Sequence, residues 1–314
     1  GRMMSTVMGA VEGKPMDNKL KVSDFDLLKV VGKGAFGKVM LVRKKTQPDK
    51  GGIFAMKVLK KSMIIAKGQV EHTASERSIL HTIKHPYIVC LRYAFQSDEK
   101  LYLITDYYSG GSLFYHLRKA RGFSENRARF YAAELLLALS HLHANHIIYR
   151  DLKLENVLMD HHGHIALTDF GLSKENVDDV FEMQLSTFCG TAEYIAPELL
   201  KGQKYGAAVD WWSFGVLLYE IWTSGMLPYK GWTNQKVWVE VAAGYRLPKP
   251  DGCMDEVYKE MLQCWAEEQD GRPTFRELAA FFRSYTGGES ENSDAEQGNG
   301  LDNDYLEVRM CDLG

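Results

Sequence analysis

Short apolar runs separated by turn residues dominate the first third of the chain. Aliphatic and aromatic side chains cluster at positions 27–31, 39–42, 53–59, 90–95 and 101–106, and glycines separate the first two runs. Runs of this length and composition are typical of β-strands. A helical period begins at residue 70, where Ile79, Leu80 and Ile83 give the segment one apolar side. The pattern therefore predicts a strand-rich first part that contains one main helix.

A helical period prevails in the remainder of the chain. A short helix is predicted from Ser112 to Lys119, and a long one from Ser124 to Asn145, which opens on a serine suited to N-capping. The residues predicted on the core side of the long helix are Phe130, Ala133, Leu137 and Leu142. A strand-rich part followed by a helical part predicts an α+β protein with two lobes.

Composition and charge exclude several classes of partner. The 314 residues are 45% hydrophobic, and 38 Lys and Arg stand against 41 Asp and Glu, so bulk charge indicates neither nucleic-acid nor membrane-surface binding. The longest aliphatic run after the strands, Leu135 to Leu139, is far too short for a membrane-spanning segment. Five scattered cysteines without metal-ligand spacing fit a reducing compartment, so we expect cytoplasmic residence. The oligomeric state is left open.

The two ends of the chain differ in composition from the middle. Residues 1–23 are rich in Gly, Met, Lys and Asp without a period, and we expect a flexible leader. Residues 286–314 are acidic, with Arg309 as the only basic residue, and their Gly, Ser and Asn content predicts a disordered tail. For Tyr305 in this tail a solvated segment is favoured, and the alternatives are a phosphotyrosine docking site and a tail segment that covers a nucleotide.

The strongest chemical signal lies at residues 149–156 and is followed by Asp169 beside Phe170 and Gly171. These stretches hold the parts that phosphoryl transfer requires. Asp151 would accept the proton of an incoming hydroxyl, and Lys153 would face the γ-phosphate. Asn156 and Asp169 would hold a divalent metal. Either aspartate alone could be an ordinary turn residue, but their order and spacing favour phosphotransfer.

A glycine-rich turn lies between the first two predicted strands. Gly32, Gly34 and Gly37 follow the G-x-G-x-x-G pattern, which dinucleotide-binding folds share. Those folds require a helix after the glycines, whereas a β-type run from Val39 follows here. A glycine hairpin lets backbone N–H groups approach a phosphate without obstruction by Cβ, and Val39 would cover the adenine. The alternative is a plain hairpin turn.

Lys57 stands within the apolar run 53–59 and therefore needs a partner when buried. In the phosphotransfer interpretation it binds the α- and β-phosphates and pairs with a glutamate of the helix that begins near residue 70. Glu76, one turn back from Leu80, is the favoured partner, and Glu71 is the competing choice.

Together these residues resemble a eukaryotic protein kinase, and the segment from Asp24 to about Glu220 is similar to the AGC group, close to its protein kinase B and ribosomal S6 kinase branches. Further markers are Tyr149, where most kinases have His, and the runs at 187–194, 196–198 and 210–215. The resemblance implies a bilobal protein kinase fold over residues 24–285. Its N-lobe, at 24–106, would be a small antiparallel sheet with one main helix, and its C-lobe, at 107–285, would be mostly helical.

The resemblance also implies ATP and Mg²⁺ as cofactors. Asp151, Lys153, Lys57 and Glu76 would be catalytic, and Asn156 and Asp169 would bind metal. The residues expected around the nucleotide are Gly32, Gly34, Gly37, Val39, Ala55, Lys57, Thr105, Asp106, Tyr108 and Leu158. Asp210 is expected to anchor the catalytic-loop backbone, and Glu198 is expected to pair with Arg272.

The same resemblance implies how the protein is activated and which amino-acid hydroxyl groups it phosphorylates. Lys153 and Thr191 match the serine/threonine kinases. Thr187 is similar to the activation-loop phosphosite, with Ser186 as the neighbouring alternative, and an upstream kinase is expected to phosphorylate it. The cationic side chains expected to contact the phosphate are Arg150, Lys174 and His72.

Substrate selection is expected to depart from the AGC pattern. Glu155 and Glu220 match two of the three acidic positions that select basic residues, but Ser112 stands where the third glutamate is expected. The alternative for Glu220 is a solvated charge at a helix end. After about Ser224 the sequence resembles the last third of a tyrosine kinase domain.

The sequence thus predicts a kinase that transfers the γ-phosphoryl group of Mg-ATP to serine or threonine hydroxyls of protein substrates and is activated at Thr187. A dual-specificity or tyrosine kinase and a nucleotide-binding pseudokinase scaffold are the alternatives.

Overall fold

A five-stranded antiparallel sheet forms the first part of the chain. The computed structural model describes residues 20–34, 36–175 and 191–284; Thr187, Ser186, Tyr305 and the two termini lie outside them. The strands are β1 (Phe25–Gly34), β2 (Gly37–Lys44), β3 (Ile53–Lys60), β4 (Leu91–Gln96) and β5 (Lys100–Asp106), in the order β1-β2-β3-β5-β4. Two helices, α1 (Lys61–Ala66) and α2 (Val70–Thr82), accompany the sheet.

The register of this sheet places the predicted nucleotide residues on one face. Val39 of β2 is opposite Lys57 of β3, which is opposite Leu103 of β5. Ala55, two residues before Lys57, is opposite Thr105. Since paired residues and residues two apart share a face, Val39, Ala55, Lys57 and Thr105 project from the same side of the sheet.

The glycine turn between β1 and β2 packs too closely for a side chain at one position. A Cβ built on Gly37 would lie 1.8 Å from the Val58 carbonyl oxygen of β3. Any other residue would push the hairpin away from β3. By contrast, a Cβ on Gly34 would meet nothing within 4 Å, so this glycine borders open space.

The second lobe is mostly helical. Its helices are α3 (Leu113–Ala120), α4 (Glu125–Ala144), α5 (Pro197–Leu200), α6 (Ala208–Trp222), α7 (Asn234–Ala242), α8 (Asp255–Cys264) and α9 (Phe275–Ser284). Its short strands are β6 (Gly111–Ser112), β7 (Ile147–Ile148), β8 (Val157–Met159), β9 (Ile165–Leu167) and β10 (Lys174–Glu175). The 3₁₀ helices of the chain are Val22–Asp24, Leu154–Asn156, Ala192–Tyr194 and Gln269–Gly271.

The two helices predicted after residue 111 are present, and the long one begins at the serine that was predicted to cap it. The Ser112 hydroxyl accepts the Tyr115 backbone N–H at 3.3 Å, and the Ser124 hydroxyl accepts that of Arg127 at 3.4 Å. Ala133, Leu137 and Leu142 of α4 are buried as predicted. Phe130 is only partly buried and packs against the edge of the core.

Buried residues of α2, α4 and α6 belong to one continuous hydrophobic core, which also receives Leu103 from the sheet. A second, smaller cluster around Phe25, Met56 and Phe95 lies within the five-stranded sheet. None of the helices in the described ranges is long and apolar enough to cross a membrane. The continuous core fixes the sheet against the helical lobe at the level of the predicted catalytic residues.

A buried ion pair and a buried carboxylate that accepts backbone N–H groups brace the helical lobe. Arg272 donates two hydrogen bonds to Glu198, at 2.6 and 2.7 Å. Asp210 accepts the backbone N–H groups of Tyr149 at 2.9 Å and Arg150 at 2.8 Å. Both contacts were predicted from the resemblance, and the second one holds the loop that carries Asp151.

Candidate active site

The catalytic candidates Asp151, Lys153 and Asn156 lie on the loop between β7 and β8 and contact one another. Lys153 Nζ is 2.9 and 3.0 Å from the two carboxylate oxygens of Asp151. Asn156 Nδ2 donates to the Asp151 carboxylate at 2.7 Å and to its backbone oxygen at 2.9 Å. These contacts hold the Asp151 carboxylate in one orientation.

Burial raises the pKa of Asp151, although Lys153 and Asn156 oppose this effect. A raised pKa suits a group that must accept a proton near neutral pH. The backbone before it is strained, because Arg150 adopts φ +66°. Strain of this kind persists where surrounding contacts hold the chain in place, and the two hydrogen bonds to Asp210 provide such contacts here.

Lys57 joins the sheet, the main N-lobe helix and Asp169. Its Nζ lies 2.5 Å from Glu76 Oε1 and 3.2 Å from Asp169 Oδ1. Glu76 is buried, whereas Glu71 on the same helix is exposed, so the structure selects Glu76 between the two candidates.

The two carboxylates determine the charge on Lys57. Burial alone would lower its pKa, but Glu76 and Asp169 outweigh burial and raise it. In turn Lys57 lowers the pKa of Asp169. Asp169 is therefore ionised at neutral pH, as a metal ligand must be. It also adopts the left-handed backbone conformation, with φ +61°.

A cavity of about 250 Å³ lies between the glycine turn, α2 and the catalytic loop. The predicted site residues that line it are Gly34, Gly37, Val39, Lys57, Glu76, His72, Asp151 and Asp169. Residues of the glycine turn, the main helix and both aspartate motifs therefore share one cleft, and Lys57 and Asp169, which are 112 positions apart, meet in it. Gly32 lies next to this cleft, opposite Val39 in the β1–β2 pair.

The residues predicted for the adenine side lie along the same sheet face and the strand below it. Ala55 and Thr105 are directly paired, and Leu158 of β8 is half-buried opposite Ser112. Asp106 ends β5, and its carboxylate is held by Arg92 at 2.7 and 2.9 Å. Tyr108 is half-buried, and burial raises its pKa to about 12.

The basic residues predicted to meet a phosphate on Thr187 lie on three different elements. Arg150 Nε donates to the Leu172 carbonyl oxygen at 2.6 Å, and its Nη1 donates to the Tyr205 hydroxyl at 2.7 Å. His72 on α2 contacts Gln69 at 2.8 Å, and Lys174 lies on β10. Thr187 itself is outside the described residues.

The predicted substrate-selecting residues differ sharply in exposure. Glu155 and Thr191 are exposed, whereas Glu220 is only 3% exposed. The alternative of Glu220 as a solvated charge is therefore wrong, because the surrounding helices cover its side chain. Ser112 uses its hydroxyl to cap α3.

Some contacts around the site have no signal in the sequence. Arg92 secures Asp106, and Tyr205 secures Arg150. Ser78 on α2 donates to Glu175 on β10 at 3.1 Å, which ties the main N-lobe helix to the segment after Asp169. These partners are 14, 55 and 97 positions apart and obey no motif, so only the fold reveals them.

A sheet lobe and a helical lobe enclose the Lys57–Glu76 pair beside Asp151 and Asp169. The sequence pattern of the protein kinase domain family matches residues 25–281. The match covers most of the chain, and the chain belongs to the protein kinase domain family. The predicted fold class is confirmed.

Several curated proteins are similar to this chain. The RAC family serine/threonine-protein kinase homolog of Dictyostelium discoideum is 48% identical over 269 residues, which cover 85% of this chain and 59% of that protein. Serine/threonine-protein kinase YPK1 of Saccharomyces cerevisiae is 54% identical over 213 residues, 68% of this chain and 31% of that protein. RAC-beta serine/threonine-protein kinase of Rattus norvegicus is 51% identical over 203 residues, 65% of this chain and 41% of that protein.

This chain thus spans less than two thirds of the length of each of these relatives. Their names support the resemblance to AGC serine/threonine kinases. They do not support the interpretation of the segment after residue 224 as tyrosine-kinase-like.

Proposed function

We propose that this chain is a protein serine/threonine kinase that transfers the γ-phosphoryl group of ATP to serine and threonine hydroxyls of protein substrates. The observation that carries the proposal is the ionic network of Lys57 with Glu76 at 2.5 Å and Asp169 at 3.2 Å, in one cleft with Asp151. A pseudokinase scaffold has no need to keep every one of these groups. The names of the relatives point to the same activity.

The side chains of the cleft fit ATP and Mg²⁺. Asp169 and Asn156 offer a carboxylate and an amide oxygen, and Mg²⁺ prefers oxygen ligands and binds through few protein groups plus phosphates and water. Among the described residues there is no cluster of three or more His, Cys, Asp and Glu that would suit a metal bound by protein alone. Bound Mg²⁺ would neutralise charge on the phosphates.

The nucleotide-binding set that we propose comprises the glycine turn, the sheet face and the strand below it. Gly34 borders open space, so its backbone is accessible to a phosphate, and Lys57 supplies a positive charge on the same side. Ala55, Thr105 and Leu158 are small or aliphatic and suit a planar base. The remaining members are Gly32, Gly37, Val39, Asp106 and Tyr108.

Asp151 is proposed as the residue that orients the substrate hydroxyl and accepts its proton. Its raised pKa, its contacts with Lys153 and Asn156, and its place in the cleft support this role. Lys153 Nζ lies 2.9 Å from the Asp151 carboxylate, close enough to stabilise negative charge that develops beside it. Lys153 and Thr191 are also proposed to favour aliphatic hydroxyls over tyrosine, as their match to serine/threonine kinases implies.

Activation is proposed to require phosphorylation of Thr187 by an upstream kinase, with Ser186 as the alternative site. Arg150 is already held beside Leu172, and a phosphate brings close to two negative charges that a guanidinium can bind through charge-assisted hydrogen bonds. Lys174 and His72 would complete the contacts. This pairing would link the segment around Thr187 to α2, which carries Glu76.

Selection of basic substrates is proposed to depend on Glu155 and Glu220 and to be weaker than in other AGC kinases because Ser112 replaces a glutamate.

The finer assignment of the segment after residue 224 to a tyrosine-kinase-like lineage remains a proposal from its sequence. One contact supports close packing of this segment on the preceding one: the Arg246 guanidinium lies 4.7 Å from the centre of the Trp212 ring. The proposed cytoplasmic location rests on cysteine usage, and the described cysteines are free.

The proposed function can be tested with radiolabelled ATP, one basic serine peptide and one acidic tyrosine peptide, using chain with and without phosphate on Thr187. We expect label on serine, at a rate that rises with Thr187 phosphorylation and is lost in Asp151→Asn. Label on tyrosine would indicate dual specificity. Nucleotide binding without label on either peptide would overturn the proposal in favour of a pseudokinase.

A further inference from the structure

Two side chains of the N-lobe helix α2 make polar contacts with distant parts of the chain. Glu76 Oε1 lies 2.5 Å from Lys57 Nζ of β3. Two residues later, the Ser78 hydroxyl donates to Glu175 Oε1 of β10 at 3.1 Å. Since an α-helix turns by about 100° per residue, positions two apart point to nearly opposite sides of it. These two contacts therefore hold α2 between the five-stranded sheet and β10.

The strand β10 supports the catalytic loop and does not belong to the five-stranded sheet. Glu175 is opposite Ile147 of β7, and the residue before it is opposite Ile148. Both isoleucines are buried. Two residues separate Ile148 from Asp151. A contact with Glu175 is thus a contact with the strand pair that carries the catalytic loop.

Further hydrogen bonds fix the segment before β10 to the same loop. The Ser173 hydroxyl donates to the Tyr149 carbonyl oxygen at 3.1 Å. Arg150 Nε donates to the Leu172 carbonyl oxygen at 2.6 Å. The segment after Asp169 and the catalytic loop therefore form one connected body. We refer to this body as the catalytic platform; it consists of β7, β10 and residues 149–151 and 169–173.

The N-lobe reaches the catalytic platform through Lys57 and through Ser78. Lys57, which Glu76 holds, is 3.2 Å from Asp169, and Ser78 contacts Glu175. The first contact involves groups that ATP and Mg²⁺ would engage, because Lys57 is expected on the phosphates and Asp169 on the metal. Neither Ser78 nor Glu175 is among the described residues that line the cavity. Their hydrogen bond can therefore persist when bound nucleotide draws Lys57 and Asp169 to other partners.

We propose that Ser78 and Glu175 are positioning residues for phosphoryl transfer, whose hydrogen bond keeps α2 on the catalytic platform while Mg-ATP fills the cleft. With α2 held in this place, Glu76 remains within reach of Lys57. Because Ser78 and Glu175 do not line the cavity, both act through the helix that carries Glu76. The inference rests on the proposed kinase function, since it concerns how that site keeps its geometry during a turnover.

Solvent limits the size of the effect. A hydrogen bond from a hydroxyl to a carboxylate is stronger than one between neutral groups, but Ser78 and Glu175 are both half-buried, so water competes for each of them. Removal of either partner should therefore weaken the placement of α2 by about three- to tenfold. Removal of both should cost no more than removal of one, because the same hydrogen bond is lost.

The test is calorimetric binding of a non-hydrolysable ATP analogue with Mg²⁺ to the full chain, which requires no turnover. Ser78→Ala and Glu175→Ala should each weaken binding by about three- to tenfold, because Lys57 is held less well. The double variant should bind as the single variants do. In a Glu76→Gln background, Ser78→Ala should cause no further loss of affinity, since the placement of Lys57 then no longer depends on α2.

Turnover supplies a second readout, and Ser75 supplies the control. In Ser78→Ala, kcat at saturating ATP should fall by a factor of about three to ten, whereas the KM of a serine peptide should stay the same. Ser75→Ala makes the same change at another half-buried serine of α2, three residues before Ser78. It should leave affinity and turnover unchanged. Thermal unfolding checks that each variant is folded.

The inference is overturned if Ser78→Ala binds the analogue normally, if Ser75→Ala loses as much affinity, or if the losses of Ser78→Ala and Glu175→Ala add in the double variant. An equal loss in the Glu76→Gln background would overturn it as well. Because binding is measured without turnover, these outcomes are distinct from failure of the proposed activity. A non-additive loss of affinity without phosphoryl transfer would retain the coupling of Ser78 and Glu175 to the nucleotide site and refute the kinase proposal. Phosphoryl transfer with independent effects of the two residues would do the reverse.

Discussion

Lys57 Nζ lies 2.5 Å from Glu76 Oε1 and thereby joins β3 to α2. The pair also places Lys57 within 3.2 Å of Asp169, on the far side of the cleft. Any shift of α2 that withdraws Glu76 would leave the Lys57 ammonium with a weaker set of partners. The position of α2 and the charge of the cleft are therefore coupled.

Glu76→Gln should lower phosphoryl transfer by about 100-fold, because loss of the carboxylate charge weakens the placement of Lys57. Glu71→Gln on the same helix is the matched control, since Glu71 is exposed. Initial rates at saturating ATP measure both. Equal losses in the two variants would show that the Lys57–Glu76 pair has no special role.

Asp151→Asn should keep the fold and lower the turnover rate by about 100- to 10,000-fold, because the amide cannot accept the hydroxyl proton. Asp98→Asn changes an exposed aspartate in the turn between β4 and β5 and serves as the control. Thermal unfolding and turnover are measured on both. Near-normal turnover in Asp151→Asn would remove this residue from the mechanism.

Arg272→Met should destabilise the chain by about 3–5 kcal/mol, because it leaves the Glu198 carboxylate buried without its partner. Lys45→Met breaks an exposed pair with Asp26 and should cost about 0–1 kcal/mol. Urea unfolding gives both values. A small effect of Arg272→Met would mean that Glu198 finds another donor or takes up a proton.

Glu220→Gln should become progressively more stable than the unsubstituted chain as the pH rises from 5 to 9. The pKa of Glu220 is raised from 4.5 to about 8 in the folded state. The stability that the bound proton provides is therefore present in full below the ordinary pKa and is lost as the pH rises through 8.

The gain of the glutamine variant between pH 5 and pH 9 should be on the order of several kcal/mol, because each unit by which the folded state raises the pKa of Glu220 corresponds to about 1.4 kcal/mol. Urea unfolding at pH 5, 7 and 9 measures it. Glu198→Gln, which weakens a paired carboxylate, should instead be destabilising at every pH. A pH-independent difference between Glu220→Gln and the unsubstituted chain would contradict the raised pKa.

The sequence by itself determined the order of the elements and the chemistry of the cleft. Apolar runs with a glycine turn fixed the first hairpin, and Ser124 fixed the start of α4, because these signals act between residues close in sequence. The spacing of Asp151, Lys153 and Asn156 indicated phosphoryl transfer for a similar reason. Functional groups on one short loop must come together in almost any fold.

Only the tertiary structure decided which side chains are buried and which residues they contact. It chose Glu76 over Glu71, since burial of one face of α2 depends on the sheet that it packs against. It gave Arg150 its contact with Tyr205, 55 positions away. It also enclosed Glu220, which the sequence places near the end of a helix without showing what covers it. Burial and electrostatic environment depend on contacts between distant segments, and a local pattern does not encode those contacts.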